Sequence, residues 1–317
     1  MNRGKGGVTR RQFLRFLGVA GAGAILAACG AGETPESETA SPAEPTKVPE
    51  AYLAVARGSD PVAITMAAVA AIGGIERFVK QGADVIIKPN ICTDYYPYEY
   101  GATTNPEVVA TLVRLCLGAG AKQVRVMDMP FGGTEESAYA KSGIAAAVAA
   151  AGGAMELMNR NKFQEAPIPD GQSIQSWVFY KPILDADVVI NVPIAKHHSL
   201  SRLSLGGKNL LGVVQDPERF HASMGKRIAD LVGAVRPSLT VVDAVRTLMR
   251  NGPTGGNLDD VRLTNTVIAS HDIVAADAYA ATLFDLTGAD ISYVKAAAER
   301  GFGTLDLNSI KIEEIAV

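Results

Sequence analysis

Cysteine is nearly absent from this chain: three in 317 residues, at Cys29, Cys92 and Cys116. A four-thiolate zinc or iron–sulfur site therefore cannot be assembled within it, and no iron–sulfur cluster is expected. A Cys92–Cys116 disulfide is open to a protein outside the cytoplasm, but spacing does not establish it, and two buried thiols are the simpler expectation. Histidine is scarce too, with four. No Gly-x-Gly-x-x-Gly follows the first expected strand, and no Gly-x-x-x-x-Gly-Lys-Ser/Thr occurs anywhere. Standard dinucleotide and triphosphate sites are thereby disfavoured. Positive charge is also missing from most of the chain. Five of the 30 basic residues (Arg3, Lys5, Arg10, Arg11, Arg15) fall in residues 1–28, which hold no acid; the rest sets 25 basic against 33 acidic residues, net −8. Nucleic acid is not an expected partner of such a body.

The leader has its own chemistry. Thr9-Arg10-Arg11-Gln12-Phe13-Leu14 resembles a bacterial twin-arginine signal, followed from Phe16 to Ala28 by an apolar segment thinned by Gly18, Gly21 and Gly23. That segment is shorter than the roughly 20 apolar residues a stable span needs. Leu26-Ala27-Ala28-Cys29 resembles a lipobox, which makes Cys29 the expected lipidation site. Acyl chains give durable anchoring at about 0.8 kcal/mol per buried methylene. Residues 30–50 hold five glutamates and four prolines with almost nothing to bury, as a disordered tether does. Three parts are expected: a signal peptide over 1–28, a lipidated cysteine with its linker over 29–50, and a single α/β domain over 51–317. The address read from them is an exported bacterial envelope lipoprotein, anchored on the extracytoplasmic side of the membrane. The twin-arginine translocase would be its partner during export.

From Tyr52 onward, short apolar runs alternate with alanine-rich helical stretches. Strands are expected at Tyr52–Ala56, Asp84–Ile87, Gln123–Met127, Met155–Met158, Trp177–Tyr180, Val188–Val192, Thr240–Val242, Arg262–Ala269 and Ile310–Ile315. Helices are expected at Val62–Lys80 (interrupted near Gly73-Gly74), Pro106–Leu117, Glu135–Ala151, Lys226–Val235, Ile273–Leu286 and Ile291–Arg300. Asn105 before Pro106 is a helix start, and Asp272 suits an N-cap. The alternation predicts an α/β fold with a mostly parallel sheet and helices on both faces.

In open parallel sheets, ligands bind beyond the carboxyl ends of the strands. Lys88 and Asn90 follow one expected strand and Asp128 ends the next. Asn191 ends another, leading into Lys196-His197-His198. Asp243 and His271 follow two more. Lys88, Lys196 and Lys208 suit an anionic ligand, with Asn90, Asn209 and Asn251 as further substrate contacts. Lys196, His197 and His198 are the catalytic candidates; neighbouring histidines point apart on a strand, so one is expected to act while the other packs or caps. Asp128 and Asp243 are the candidate ligands of an optional divalent metal. Asp243 reads equally as a cap, and His221 as a surface residue.

At these residues the chain resembles the bacterial and archaeal family called domain of unknown function 362. The matching pieces run in order. They begin with Ile87-Lys88-Pro89-Asn90, Ala102-Thr103-Thr104-Asn105-Pro106-Glu107, Gly120-Ala121-Lys122 leading to Asp128, and Tyr139 with Ser142-Gly143-Ile144. Next come Ile190-Asn191-Val192-Pro193 through Lys196-His197-His198, and Gly207-Lys208-Asn209-Leu210-Leu211-Gly212. Val242-Asp243-Ala244 through Asn251-Gly252-Pro253 and Ala269-Ser270 with Asp272 complete the set. The resemblance implies no settled reaction. Some members carry ferredoxin-like modules, whose cysteines this chain lacks. Members commonly show Lys-Thr-His where this one has Lys196-His197-His198, which leaves both histidines as candidates. Three readings stand: an enzyme acting on a small anionic substrate, a non-catalytic ligand- or metal-binding protein, and a redox-linked partner of a separate iron–sulfur protein.

Overall fold

The computed structural model describes residues 51–317. The leader, Cys29 and the linker to Glu50 lie outside the described residues. In chain order the strands are β1 (Leu53–Arg57), β2 (Asp84–Pro89), β3 (Gln123–Val126), β4 (Ala154–Met155), β5 (Phe163–Pro167), β6 (Ser176–Tyr180), β7 (Val188–Val192), β8 (Ile194–His198), β9 (Arg202–Ser204), β10 (Leu239–Leu248), β11 (Val261–Ser270) and β12 (Ile312–Ala316). The helices are α1 (Pro61–Ala71), α2 (Pro106–Gly118), α3 (Glu135–Lys141), α4 (Ile144–Ala150), α5 (Lys181–Asp185), α6 (Gly206–Asn209), α7 (Met224–Val235), α8 (Ile273–Thr282) and α9 (Ser292–Glu299).

One sheet runs β12-β1-β11-β10-β7-β2-β3-β4, with β8 pairing β10 and β9 extending from β8. Its centre, from β10 through β7, β2 and β3 to β4, is parallel. The α/β class with a largely parallel sheet is therefore what the chain adopts. β11 departs from that pattern, lying antiparallel to both β1 and β10. β5 and β6 make a separate antiparallel pair, so the Trp177–Tyr180 run is a strand outside the main sheet.

The parallel centre dictates the two cores. Every residue of β7 is buried, as is β2 from Val85 onward, because helices cover both faces. Val85, Ile87, Val188, Ile190, Val192, Val241 and Val245 pack with α1, α2 and α4 on one face. Ile86, Val189, Val242 and Ala244 pack with α7, α8 and α9 on the other. This alternation decides where each polar side chain goes. Lys88 and Asn191 are register partners, and they share the α7–α9 face with Ile86 and Val189. Asp243 shares the α1–α2 face with Val241 and Val245.

Local signals behave as the sequence suggests at two starts. Asn105 accepts from the Glu107 amide at 2.9 Å with Pro106 opening α2. Asp272 accepts from Val274 and Ala275 at 2.8 and 2.9 Å to start α8. β10 runs past Val242 to Leu248, because its far half pairs with β11 as a long hairpin.

Candidate functional site

A cleft of about 520 Å³ opens beyond the carboxyl ends of β2, β3 and β7, and Lys88, Asn90, Asp128, Lys196, His198, Lys208 and Asn209 all contribute to its wall. It is built from a buried polar frame. The Lys88 Nζ donates to Asn209 Oδ1 at 2.9 Å and to the Pro89 carbonyl at 3.0 Å, and lies 2.7 Å from Asp128 Oδ1. Three acceptors match the three N–H groups of an ammonium. Burial pulls Lys88 below its ordinary range while Asp128 opposes that shift; burial pushes Asp128 up against the pull of Lys88. The other Asp128 oxygen accepts from the Ile91 amide at 2.6 Å.

Asn209 is the keystone of the frame. Its Oδ1 accepts from Lys88 and from Asn90 Nδ2 at 3.1 Å. Its Nδ2 donates to the Lys88 carbonyl at 3.1 Å and to Asn191 Oδ1 at 2.8 Å. Two acceptor sites and two donors are all taken, so Asn209 has nothing left for a ligand. The short helix that carries it is fixed from α8: Asp277 accepts from the Gly206 and Gly207 amides at 2.6 and 2.8 Å. Burial pushes that carboxyl up to about 7, against the two amides. Asn191 Nδ2 donates to the Gly206 carbonyl at 3.0 Å, tying the helix to β7 as well.

Lys196 and His198 alternate on β8 and both face the cleft. Lys196 Nζ donates to Asn90 Oδ1 at 2.8 Å and to the Ala102 carbonyl at 2.6 Å. His198 Nδ1 accepts from the Leu200 amide at 3.1 Å and from Ser201 at 3.4 Å. An acceptor at Nδ1 carries no proton, so the neutral ring holds its proton on Nε2. Burial, with the Lys208 and Lys196 charges, pulls this imidazole down to about 3. His198 is thus a neutral donor. It is not poised to collect a proton near neutral pH.

Lys208 differs from the other two lysines: among the described residues its ammonium makes no hydrogen bond and no ion pair. Burial and the Lys196 charge pull it down to about 8, with Cys92 acting in the opposite direction. The cleft wall holds two carboxylates against three lysines. Asp128 is taken by Lys88, and Glu218 sits at the exposed mouth.

Other candidates stand elsewhere. His197 is off the cleft wall, where its Nδ1 accepts from the Gly252 amide at 3.1 Å, and Asn251 Nδ2 donates to Asp260 at 2.7 Å. Both residues hold the 251–256 loop, which contributes only Pro253 and Thr254 to the cleft. Asp243 faces α2, accepting from the Asn105 amide at 2.7 Å and the Val245 amide at 2.9 Å; burial pushes it up to about 6. Asp128 lines the cleft and Asp243 does not; each carboxylate is held by partners of its own. No group of three or more His, Cys, Asp or Glu suited to a metal occurs among the described residues. His271 follows antiparallel β11, which delivers it to the amino-terminal end of the parallel strands, into a hollow of about 690 Å³ that Arg236 and Arg300 also line. Cys92 and Cys116 are free thiols, Cys92 on the cleft wall and Cys116 in the α2 core.

Residues outside the candidate set also matter. His221, expected at the surface, is exposed yet contributes to the cleft mouth. Asp277 fixes α6; its signal is a lone acid in the otherwise apolar run Ile273–Thr282. Gly212 has one too, in the Gly-Lys-Asn-Leu-Leu-Gly stretch: a Cβ there would lie 1.9 Å from Asp128 Oδ1 and 2.8 Å from Lys88 Nζ.

Among curated relatives, this chain is 32% identical over 253 residues to a thylakoid-associated protein of Synechocystis sp., covering 72% of this chain and 71% of that one. Among solved structures, the lactate racemase apoprotein of Thermoanaerobacterium thermosaccharolyticum superimposes with a TM-score of 0.43 at 12% identity, over 68% of this chain and 53% of that protein's length. Residues 85–282 match the family described as Domain of unknown function (DUF362), and they carry the whole polar frame from Lys88 to Asp277. The chain belongs to that family.

Proposed function

We propose that the cleft binds a small organic anion, a carboxylate or a phosphate, and that the protein is an enzyme acting on it. One observation carries this reading: Lys208 presents an ammonium with no protein partner, in a cleft where the only inner carboxylate is already neutralised by Lys88. An unpaired, partly desolvated charge is costly unless a counter-charge arrives. Lys196 adds a second ammonium whose two acceptors are both uncharged. His198 offers a neutral N–H donor suited to an oxygen that gains charge. Lys88, Asn90 and Asn209 form the scaffold that holds these groups.

Calorimetric titration of the folded domain with acetate, pyruvate and inorganic phosphate tests this. At least one anion is expected to bind, more weakly as salt rises, and Lys208→Met is expected to lose about tenfold or more, as for a charge-assisted contact of at least 1.4 kcal/mol. No binding of any of the three, or equal binding by the variant, would overturn it. A turnover assay on the bound anion separates an enzyme from a passive carrier.

The proposed address is the outer face of a membrane, reached through the twin-arginine route and held by a lipid on Cys29. Its support is the Arg10-Arg11 motif, the Leu26–Cys29 lipobox and a linker rich in proline and glutamate. Labelled palmitate should enter the wild-type chain and not Cys29→Ala, and Arg10→Lys with Arg11→Lys should leave the precursor in the cytoplasm. Labelling of the alanine variant would defeat the anchor.

A further inference from the structure

Three observations about Lys208 go beyond charge. Its half-buried side chain is on the wall of the cleft, and among the described residues no carboxylate or carbonyl engages its nitrogen. Its backbone is held on three sides: the start of α6 is bound by Asp277, its Gly206 carbonyl by Asn191 of β7, and Asn209 makes two hydrogen bonds to Lys88 of β2. Of the charges acting on it Lys196 is the larger, with Cys92 opposing, and it in turn is the leading charge acting on His198. A lysine meant only to hold an anion works best fully protonated. Here a desolvated amine beside a second ammonium is pulled down to about 8, the environment that releases a lysine nitrogen as a nucleophile.

Resting on the anion-binding reading above, we propose that Lys208 is a covalent catalytic residue that condenses with the carbonyl carbon of a small oxo acid. Lys196 faces the carboxylate of that acid and the His198 Nε2–H faces its carbonyl oxygen. The unprotonated Nζ attacks the carbonyl carbon; a C–N bond forms, the C–O π bond breaks, and a proton passes from the nitrogen to the oxygen to give a neutral carbinolamine. The nitrogen lone pair then expels the hydroxyl, which leaves with a proton as water. The net change is amine plus carbonyl plus one proton giving an iminium and water, with no oxidant or reductant. Positive charge at Lys196 suits a substrate that brings its own carboxylate, and the iminium is then the electron sink for bond breaking at the neighbouring carbon.

Borohydride tests the step, because hydride addition turns an iminium into a stable secondary amine. The folded domain would be incubated with glyoxylate, pyruvate or 2-oxoglutarate and sodium cyanoborohydride, and the modified lysines mapped by peptide mass spectrometry. Lys208 is expected to be trapped at least tenfold faster than exposed Lys80 and Lys122 by one or more of the three, and acetone, which lacks the carboxylate, is expected to show no such preference. Lys208→Arg keeps the charge without the nucleophile. It should retain anion binding in the titration above and show no preferential labelling. Trapping at Lys208 no faster than at the two exposed lysines, with anion binding intact, overturns the imine and leaves the anion site standing. Loss of both overturns both.

Discussion

Lys88 and Asp128 meet at 2.7 Å with side chains 1% and 2% exposed, and Gly212 leaves the space in which they do so. Removing one partner of such a pair leaves a charge with neither water nor counter-ion. Lys88→Met is expected to cost about 3–5 kcal/mol of stability, while Lys88→Met with Asp128→Leu costs much less, because no charge is then stranded. Urea denaturation of the single and double variants checks this. A single variant as stable as wild type would mean that the pair is not buried in solution.

The glycine follows from the same geometry. Gly212→Ala would place a methyl carbon 1.9 Å from Asp128 Oδ1, inside any permitted contact, so the carboxylate must move off Lys88. The expected result is a loss of stability comparable to that of Lys88→Met. Cleft lysines should also become more reactive to acylating reagents, measured by mass spectrometry. Wild-type stability in Gly212→Ala would show that the carboxylate has a second position available.

Asp277 acts at a distance from the cleft wall. It is 2% exposed and, among the described residues, supplies the acceptors of the Gly206 and Gly207 amides. Asp277→Ala orphans both donors at about 1–3 kcal/mol each. Hydrogen exchange should then accelerate at Gly206 and Gly207 well before it changes in β2 or β7. Uniform acceleration across the sheet would instead report a general loss of stability.

The parts of this design that the sequence exposes are those governed by burial. The continuous apolar runs ending in Lys88 and Asn191 announce doubly covered strands, and strand ends in such a sheet point to one rim. Three lysines, Asn90, Asp128 and His198 reach that rim. Direction is a different matter. Hydropathy has no sense along the chain, so nothing in Arg262–Ala269 shows that β11 runs antiparallel and carries His271 to the other end of the sheet's strands. Side-chain parity fails for Asp243 for a related reason: Val241, Val242, Ala244 and Val245 are all apolar, and a strand buried on both faces hides which face its one acid takes. β8 escapes because Ile-Ala-Lys-His-His lacks the apolar run of a central strand; its pairing with β10 and β9 supplies what its composition does not. Asn209 was legible as polar and near the site. Its role as a fully engaged frame residue depends on four partners distant in sequence.

His198 makes a prediction about acid. Its imidazole is held at about 3 in the folded protein against an ordinary 6.5, chiefly by burial. Above pH 6.5 the ring is neutral in both folded and unfolded chains and contributes no pH dependence. As pH falls below 6.5, the unfolded chain takes up a proton that the folded one refuses, so stability declines until the folded ring titrates near 3. The limiting slope is about 1.4 kcal/mol per pH unit. The buried carboxyls act with the opposite sign, since Asp243 at about 6 and Asp277 at about 7 favour folding as they gain protons. The informative quantity is therefore the difference between wild type and His198→Asn, whose amide oxygen can accept from the Leu200 and Ser201 amides without titrating. That difference should be flat from pH 8 to about 6.5 and should then tilt progressively in favour of the variant down to about pH 4. Urea unfolding at each pH measures it. A flat difference throughout would mean that the His198 ring is protonated in the folded cleft, and its assignment as a neutral N–H donor would fall with it.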